Sequence, residues 1–325
     1  MDIQTRLRRR EIFSHFSDQQ VEDLALCLSV LEYDIGDEIF QDREESRSAF
    51  LIDEGAVRIH RATPYGFYGM ADLGDGEIFG ETSFIDGEVR SGSARAEAPS
   101  TLVAFDYEKV SDLVGRDQRL AVALYWSFWK SLARKLRTTN DRLAQFFSAA
   151  AQPSSNQPKT VHDPTSEFHI DLAAKRAIFQ EQKLSNMEIN FLATLSKEIQ
   201  VKPGQILFKE GDEGDKMYVV LEGRVMISKY IPGAGEEALA FLERGDYFGE
   251  MALIDRQPRS ADAKTSEEEG AVLLAIPREV VEGLLDMHRI SSHRLLTLLC
   301  NMIAKRLREL NEKLVTWFIF AGGGK

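Results

Sequence analysis

One unit of sequence occurs twice in this chain, and this repeat limits the possible folds more than any other feature. Three short blocks recur in the same order about 170 residues further along the chain: Phe79-Gly80-Glu81 as Phe248-Gly249-Glu250, Ile85-Asp86 as Ile254-Asp255, and Arg90-Ser91 as Arg259-Ser260. A repeated unit of about 150 residues predicts two domains with the same fold, each long enough to bury its own core.

A polar segment separates the two copies. Residues 149–165 contain Pro153 and Pro158 among Gln, Ser and Asn, a composition typical of a linker. The sequence therefore predicts a first domain over 1–148, a linker over 149–165 and a second domain over 166–325.

Each copy shows short strand patterns between helical ones. Residues 19–31 have apolar side chains at helical spacing, and residues 217–221 form one of several short alternating segments bounded by Gly and acidic turns. Long helical patterns over 120–147 and 289–318 end the two copies. We expect an α+β protein with two tandem antiparallel β-roll (jelly-roll-like) domains, each flanked by helices and ending in a long C-terminal helix.

Composition excludes several classes of protein. The net charge of −12, from 40 basic and 52 acidic residues, argues against broad nucleic-acid binding, which needs many cations. No run approaches the roughly 18 apolar residues that span a membrane, and the polar N-terminus has no secretory signal. Cys27 and Cys300 are interpreted as buried reduced thiols in helices. The missing signal and membrane span together predict a cytoplasmic location.

The basic residues near the N-terminus are interpreted as the solvated first turn of a helix: Arg6, Arg8, Arg9 and Arg10.

Motifs for catalysis are missing from the sequence. The six histidines are scattered, and none pairs with Cys or carboxylates at the spacing of a metal site. There is also no P-loop, nucleophile elbow or HExxH motif. We expect no cofactor, no metal and no enzymatic activity.

The second copy carries the most specific motif. Residues 245–255 read Gly-Asp-Tyr-Phe-Gly-Glu-Met-Ala-Leu-Ile-Asp, and Pro258-Arg259-Ser260-Ala261 follow. This motif closely resembles the phosphate-binding cassette of the cyclic nucleotide-binding domain family, and the resemblance covers both copies. It is joined upstream by a glycine pattern: Gly204, Gly211, Gly214 and Gly223. We call residues 80–92 the first cassette and residues 249–261 the second cassette.

The resemblance implies roles for the residues of the second cassette. Glu250 would bind the ribose 2′-hydroxyl, because a carboxylate only accepts hydrogen bonds. Arg259 and Ser260 would bind the cyclic phosphate, whose two exocyclic oxygens match the planar fork of an arginine. Gly249 would let the backbone approach the ligand closely. The family alignment also places Met251, Ala252 and Ala261 at the ligand.

The first cassette keeps the charged residues but differs around them. Its implied ligand-binding residues are Gly80, Glu81, Thr82, Ser83, Arg90 and Ser91, with the same spacing between the glutamate and the arginine. Val89 replaces Pro258, and Arg43 and Ser46 stand where the second copy has Gly211 and Gly214. We expect this site to bind nucleotide more weakly. The alternative is that it is a structural copy or takes another ligand.

The alignment also implies a pocket for the base. It would be lined by Val225, Leu239 and Ala240 in the second copy, and by Val57, Met70 and Ala71 in the first. These residues could equally be core of the roll. Asn311 in the closing helix of the second copy, and Asn140 in that of the first, fall near the expected position of the purine N6 edge. An amide suits adenine there, whereas a polar residue that sets helix register is the alternative.

The sequence as a whole predicts a receptor for a cyclic nucleotide. Cyclic AMP is the expected ligand, with cyclic GMP as the alternative, and binding should alter helix packing and the surface for an unidentified protein partner. No nucleic-acid partner is expected, because no helix-turn-helix fits after the closing helix. No membrane partner is expected either, because no apolar run is long enough to span one. The apolar stripes of the closing helices predict an intrachain pseudo-dimer, with a homodimer as the rival. A fragment of a transcription regulator and a kinase-regulatory-subunit-like inhibitor remain alternatives.

Overall fold

The computed structural model describes residues 1–148, 170–182, 184–231, 235–284 and 292–323. The predicted linker, 149–165, lies outside the described residues. The chain divides into two compact units. The first unit consists of residues 1–132 and 303–325, and the second consists of residues 133–302.

The first copy alternates helices and strands in the predicted order. Two helices with a 3₁₀ turn between them come first, eight strands follow with a short helix between the sixth and seventh, and two helices end the copy. In chain order its described elements are α1 (Ile3–Arg8), the 3₁₀ turn (Glu11–Phe13), α2 (Asp18–Ala25), β1 (Leu28–Tyr33), β2 (Glu38–Phe40), β3 (Ala49–Glu54), β4 (Val57–Thr63), β5 (Gly66–Leu73), β6 (Ile78–Phe79), α3 (Glu81–Asp86), β7 (Ser93–Ala96), β8 (Ser100–Phe105), α4 (Tyr107–Arg116) and α5 (Gln118–Ser148).

The second copy repeats this order within the described residues. Two helices precede its eight strands, and the short helix again lies between the sixth and seventh strand. Its elements are α6 (Leu172–Glu181), α7 (Asn186–Leu195), β9 (Lys197–Val201), β10 (Ile206–Phe208), β11 (Lys216–Gly223), β12 (Val225–Ile231), β13 (Gly235–Leu242), β14 (Tyr247–Phe248), α8 (Met251–Asp255), β15 (Asp262–Thr265), β16 (Ala271–Pro277), α9 (Arg278–Leu284) and α10 (Ser292–Phe320).

The strands form two four-stranded antiparallel sheets in each copy. The sheet orders are β1-β8-β3-β6 and β2-β7-β4-β5 in the first copy, and β9-β16-β11-β14 and β10-β15-β12-β13 in the second. Matching bulges interrupt the β4–β5 and β12–β13 pairs, where Met70 and Leu239 have no opposite residue in the register. The prediction of two tandem antiparallel β rolls with long closing helices is confirmed.

An aromatic cluster fills each roll. Phe40, Phe50 and Phe79 pack in the first, with ring centroids 5.2–6.0 Å apart. Their counterparts Phe208, Tyr218 and Phe248 pack at 5.0–6.1 Å in the second. Each cluster contains the phenylalanine directly before the cassette glycine. The core therefore holds the start of the cassette in the same place in both copies.

The closing helices cross the division between the copies. Residues 133–148 of α5 belong to the second unit, although they come from the first copy. The part of α10 from Ile303 onward belongs to the first unit, although it comes from the second copy. Each unit is thus completed by a helical segment of the other copy. The domain and linker boundaries at 1–148, 149–165 and 166–325 describe the repeated unit of sequence, and they stay a prediction.

Two local predictions near the N-terminus are wrong. The helix predicted over 19–31 ends at Ala25, and Leu28 already begins β1, because the pairing with β8 outweighs the local helical pattern. Cys27 therefore lies between α2 and β1 and is only half-buried, whereas Cys300 is buried in α10 as expected. No described helix is both long and apolar enough to cross a membrane.

The arginines of the N-terminus are not simply solvated. Arg6, Arg9 and Arg10 all donate to the carboxylate of Asp53, whose side chain is fully buried at the end of β3. Burial opposes the charge of Asp53, but hydrogen bonds from Arg9, Arg10 and Arg6 outweigh it and hold the pKa of this carboxyl below its usual range. This cluster attaches the first helix to the roll, and Leu221 occupies the corresponding position of the second copy.

Candidate functional site

Each cassette starts at a glycine in the left-handed conformation. Gly80 has φ +75° and Gly249 has φ +77°, and each leads from a two-residue strand towards a short helix. A Cβ at Gly249 would lie 2.6 Å from Nη1 of Arg259, and one at Gly80 would lie 2.8 Å from Nη1 of Arg90. Glycine is required at both positions because the arginine occupies the space of a side chain.

Arg259 of the second cassette is 5% exposed and is held by main-chain carbonyls. Its Nη1 donates to Gly249 O at 2.6 Å, and its Nη2 donates to Lys216 O at 2.7 Å. The guanidinium also stacks over Phe208, 4.2 Å from the ring centroid. Its Nε is buried and has no hydrogen-bond acceptor among the residues that the structure describes. A buried donor of this kind is costly, and a ligand oxygen would satisfy it.

Arg90 of the first cassette has the same surroundings with one addition. Nη1 donates to Gly80 O at 3.0 Å, Nη2 donates to Ser48 O at 2.7 Å, and the guanidinium lies 4.1 Å from the ring centroid of Phe40. Here, however, Nε donates to Ser46 Oγ at 2.8 Å. The second copy has Gly214 at this position, where a Cβ would lie 3.1 Å from Nε of the arginine. The serine therefore supplies an acceptor that the second cassette lacks.

Both arginines carry a charge that the surrounding protein compensates only in part. Burial lowers the pKa of Arg90 to about 10, and burial also lowers the pKa of Arg259. Nearby carboxylates, Glu44 and then Glu81 for Arg90 and Asp215 and then Glu250 for Arg259, raise these pKa values but do not outweigh burial. An anionic ligand at either guanidinium would restore the balance, because an opposite charge favours the ionised form.

The two glutamates are buried beside the arginines. Glu250 is 2% exposed and Glu81 is 1% exposed. Oε1 of Glu81 accepts a hydrogen bond from Oγ of Ser131 on α5 at 3.0 Å, within the first unit. A buried carboxylate next to a buried guanidinium has the polarity needed to bind a hydroxyl and an anion side by side.

The other predicted cassette residues occupy the short helix and the strand after it. Met251 and Ala252 begin α8 and are buried, as is Ala261 beyond Arg259. Thr82 is half-buried and Ser83 is buried in α3. Ser91 and Ser260 are half-buried, and Oγ of Ser260 lies 4.0 Å from Sδ of Met251.

The turn of the first cassette is as well formed as that of the second. Arg43 adopts φ +63°, close to the φ of +88° at Gly211. The amide of Arg43 donates to Arg90 O at 3.0 Å, and that of Gly211 donates to Arg259 O at 2.9 Å. The substitution of glycine by Arg43 has therefore not changed the path of the backbone, although it leaves a non-glycine residue in a strained conformation.

The residues predicted for the base pocket separate into two groups. Val57 and Val225 belong to the apolar cores of the rolls, and Ala71 and Ala240 pack against those cores. Met70 and Leu239 are buried outside those two clusters, at the bulges of the β4–β5 and β12–β13 pairs. At each bulge one residue has no partner on the opposite strand, and this distinguishes Met70 and Leu239 from the residues beside them.

The two asparagines are placed in the units opposite to their own copies. Asn311 lies in the first unit, with Val57 and its neighbours, and Asn140 lies in the second unit, where it is 5% exposed. Each asparagine therefore lies in the unit that contains the roll of the other copy, and its role at the base stays a prediction. The repeat alone cannot show this exchange, because both helices match equally well.

Sequence reasoning missed several arginines that contact the cassettes. Arg278 of α9 donates to the carbonyls of Gly214, Ala252 and Leu253. In the first copy Arg47, from a different position in the fold, donates to Ser83 O and Phe84 O. Arg137 and Arg308, which recur within the matching closing helices, also reach the cassettes. Their recurrence is the signal that could have identified them.

Comparison with known proteins supports the resemblance. A family model described as "Cyclic nucleotide-binding domain" matches residues 30–117 and 198–288. The CRP-like cAMP-activated global transcriptional regulator of Mycobacterium tuberculosis is 31% identical over 148 residues, which are 44% of this chain and 61% of that protein.

Two further matches extend over most of the chain. The cAMP-dependent protein kinase regulatory subunit of Dictyostelium discoideum is 22% identical over 263 residues, covering 80% of this chain and 66% of that protein. A solved structure of the regulatory domain of Toxoplasma gondii PKA with cAMP is 14% identical, covers 90% of this chain and 93% of that one, and has a TM-score of 0.33. Because the family model matches more than half of its residues, in two separate segments, this chain belongs to the cyclic nucleotide-binding domain family.

Proposed function

We propose that this protein is a cyclic-nucleotide receptor that prefers cyclic AMP and has no catalytic activity of its own. The observation that carries the proposal is the buried guanidinium of Arg259, with an Nε donor that lacks an acceptor among the described residues. The ligand phosphate would take this donor, and Glu250 would take the ribose 2′-hydroxyl. In the first cassette, Arg90 and Glu81 would act in the same way.

The test of the site is calorimetry with cyclic AMP, cyclic GMP and cyclic dinucleotides. Arg259→Ala removes the guanidinium that would pair with the ligand phosphate, and truncating one member of such a buried charge pair typically costs about 2–5 kcal/mol of binding energy. The matched control is Arg256→Ala, which removes the same charge from the same segment but from an exposed side chain 3.7 Å from Glu282. Unchanged affinity of Arg259→Ala for cyclic AMP would refute the assignment.

The two sites should differ in affinity. In the first cassette Ser46 already occupies the Nε donor, so the ligand must displace a hydrogen bond that the second cassette does not have. We therefore expect weaker binding at the first site. Titrations of Arg90→Ala and Arg259→Ala separately measure the remaining site in each case, and equal affinities would contradict this explanation.

The preference for cyclic AMP rests on the asparagines and on the serines that follow the arginines. Asn140 and Asn311 can both donate to and accept from an adenine edge. Ser91 and Ser260 occupy the position at which the cyclic-AMP-binding catabolite-activator branch of the family carries serine. Competition binding in which cyclic GMP binds more tightly would overturn this part of the proposal.

We further propose that binding is transmitted to a protein partner through the closing helices, and that one chain supplies both exchanged helices. The tandem arrangement that the kinase regulatory subunit of Dictyostelium shares over most of this chain supports a protein partner. Leu307 and Leu314 are buried in the first unit, so Leu307→Lys with Leu314→Lys should unfold a monomer. Light scattering that shows a dimer falling to a folded monomer would contradict the intrachain arrangement.

A further inference from the structure

An arginine from the opposite copy lies on each cassette. In the second unit, Arg137 of α5 donates from Nε and Nη2 to the two carboxylate oxygens of Asp255, at 2.5 and 3.0 Å. Its Nη1 donates to Pro258 O at 2.7 Å. Asp255 ends the short helix α8, and Pro258 directly precedes Arg259. One planar group therefore holds both ends of the segment that leads into the phosphate-binding arginine.

The first unit repeats this arrangement with Arg308 of α10. Its Nε and Nη2 donate to the carboxylate of Asp86 at 2.7 and 3.1 Å, and its Nη1 donates to Val89 O at 2.8 Å. Nη2 also donates to Ser83 Oγ at 3.1 Å. Both arginine side chains are about four-fifths buried, at 18% and 19% exposure. The same geometry therefore occurs in both units, formed each time by the equivalent arginine of a closing helix.

A second ion pair of opposite polarity fixes the register of each exchanged helix. One turn beyond Arg137, Asp141 accepts from Nζ of Lys229 on β12 at 2.7 Å. One turn beyond Arg308, Glu312 accepts from Nη1 of Arg61 on β4 at 2.5 Å. Along each helix an arginine is followed by an acidic residue, and the roll places an acidic residue and then a basic residue against them. If the helix slid by one turn, residues of like charge would face each other.

We propose that Arg137 and Arg308 are positioning residues for nucleotide binding, each acting on the cassette of the copy to which it does not belong. This inference rests on the proposed function. Because Arg137 anchors the peptide next to Arg259, its loss should disorder the second cassette and weaken binding there. Arg308 should affect Arg90 and the first cassette in the same way.

The test compares the two cassettes in the same full-length protein. Hydrogen–deuterium exchange without nucleotide should show faster exchange over residues 249–261 in Arg137→Ala and over residues 80–92 in Arg308→Ala. Calorimetry should show affinity for cyclic AMP lowered about tenfold at the opposite cassette only, within the range known for residues that act through others. Arg137→Lys keeps the charge without the fork and should restore part of the loss. Thr138→Ala, an exposed neighbour on α5, is the matched control.

Each outcome decides the proposal. Equal changes at both cassettes, or a change at the cassette of the same copy, would overturn it. If Arg137→Ala does not fold, Asp255→Asn weakens the same contact from the other side, because an amide keeps one oxygen acceptor and no charge, and it should loosen the second cassette alone. Absence of nucleotide binding in the parent protein would refute the proposed function, whereas the exchange experiment without nucleotide would still test the contact.

Discussion

The hydroxyl of Ser46 is the sharpest difference between the two candidate sites. It accepts from Nε of Arg90 at 2.8 Å, whereas Nε of Arg259 has no acceptor among the described residues. Ser46→Ala removes the acceptor and leaves the backbone in place. Nε of Arg90 should then lack the serine acceptor, as Nε of Arg259 does, and be available to a phosphate oxygen.

The size of the effect follows from the charge on the donor. A hydrogen bond to a charged group contributes about 1.5–3 kcal/mol. Ser46→Ala should therefore lower the free energy of unfolding by about this amount. If a phosphate oxygen takes the freed Nε, the same energy returns on binding, and affinity at the first site should rise by about 10- to 150-fold.

The assay is calorimetry with cyclic AMP in a background that carries Arg259→Ala, so that only the first site is measured. Ser48→Ala is the matched control, because Ser48 contacts Arg90 through its main-chain carbonyl, which alanine retains. A Ser46→Ala protein that is less stable but binds no more tightly would refute the reasoning. No binding before or after the change would refute the assignment of the first cassette.

Three further outcomes are expected. Gly249→Ala should cost about 1–2 kcal/mol of stability because φ is +77°, and it should weaken cyclic AMP binding by displacing Arg259; denaturation and calorimetry measure the two effects. The lowered pKa of Asp53 adds stability above about pH 4 that is lost as the pH falls through that pKa, so urea unfolding of Asp53→Asn should depend less on pH below 4 than that of the parent. Arg278→Ala frees three carbonyls around α8 and should speed hydrogen exchange over residues 249–261 but not over 80–92.

The sequence was sufficient for the features that depend on local pattern and on the repeat. The tandem rolls and the long closing helices could be predicted, because each is encoded within one copy and appears twice. The left-handed turn at Arg43 could not, since a non-glycine residue gives no sign that tertiary contacts hold it at φ +63°. The role of Arg47 was also hidden, because its counterpart in the second copy is Arg278, at a position that does not align with it.

The exchange of the closing helices was beyond sequence reasoning for a different physical reason. Leu136 and Leu307 are equivalent residues of the repeat, so the two apolar stripes are alike in sequence. Local propensity predicts that each stripe is buried but not which roll buries it. The charged residues that set the register of each helix are also equivalent in the two copies. They are Arg137 and Asp141 in α5, and Arg308 and Glu312 in α10.

The division of each unit between two stretches of the chain affects what happens when the backbone is cut. A fragment of residues 1–148 would contain the first roll without the segment of α10 that completes it, and it would carry a helix end that belongs to the second unit. Neither half should fold fully when expressed alone. When the two halves are produced separately and mixed, they should reassemble by fragment complementation, and a protease that cuts within 149–165 should leave a non-covalent pair that still elutes as one species.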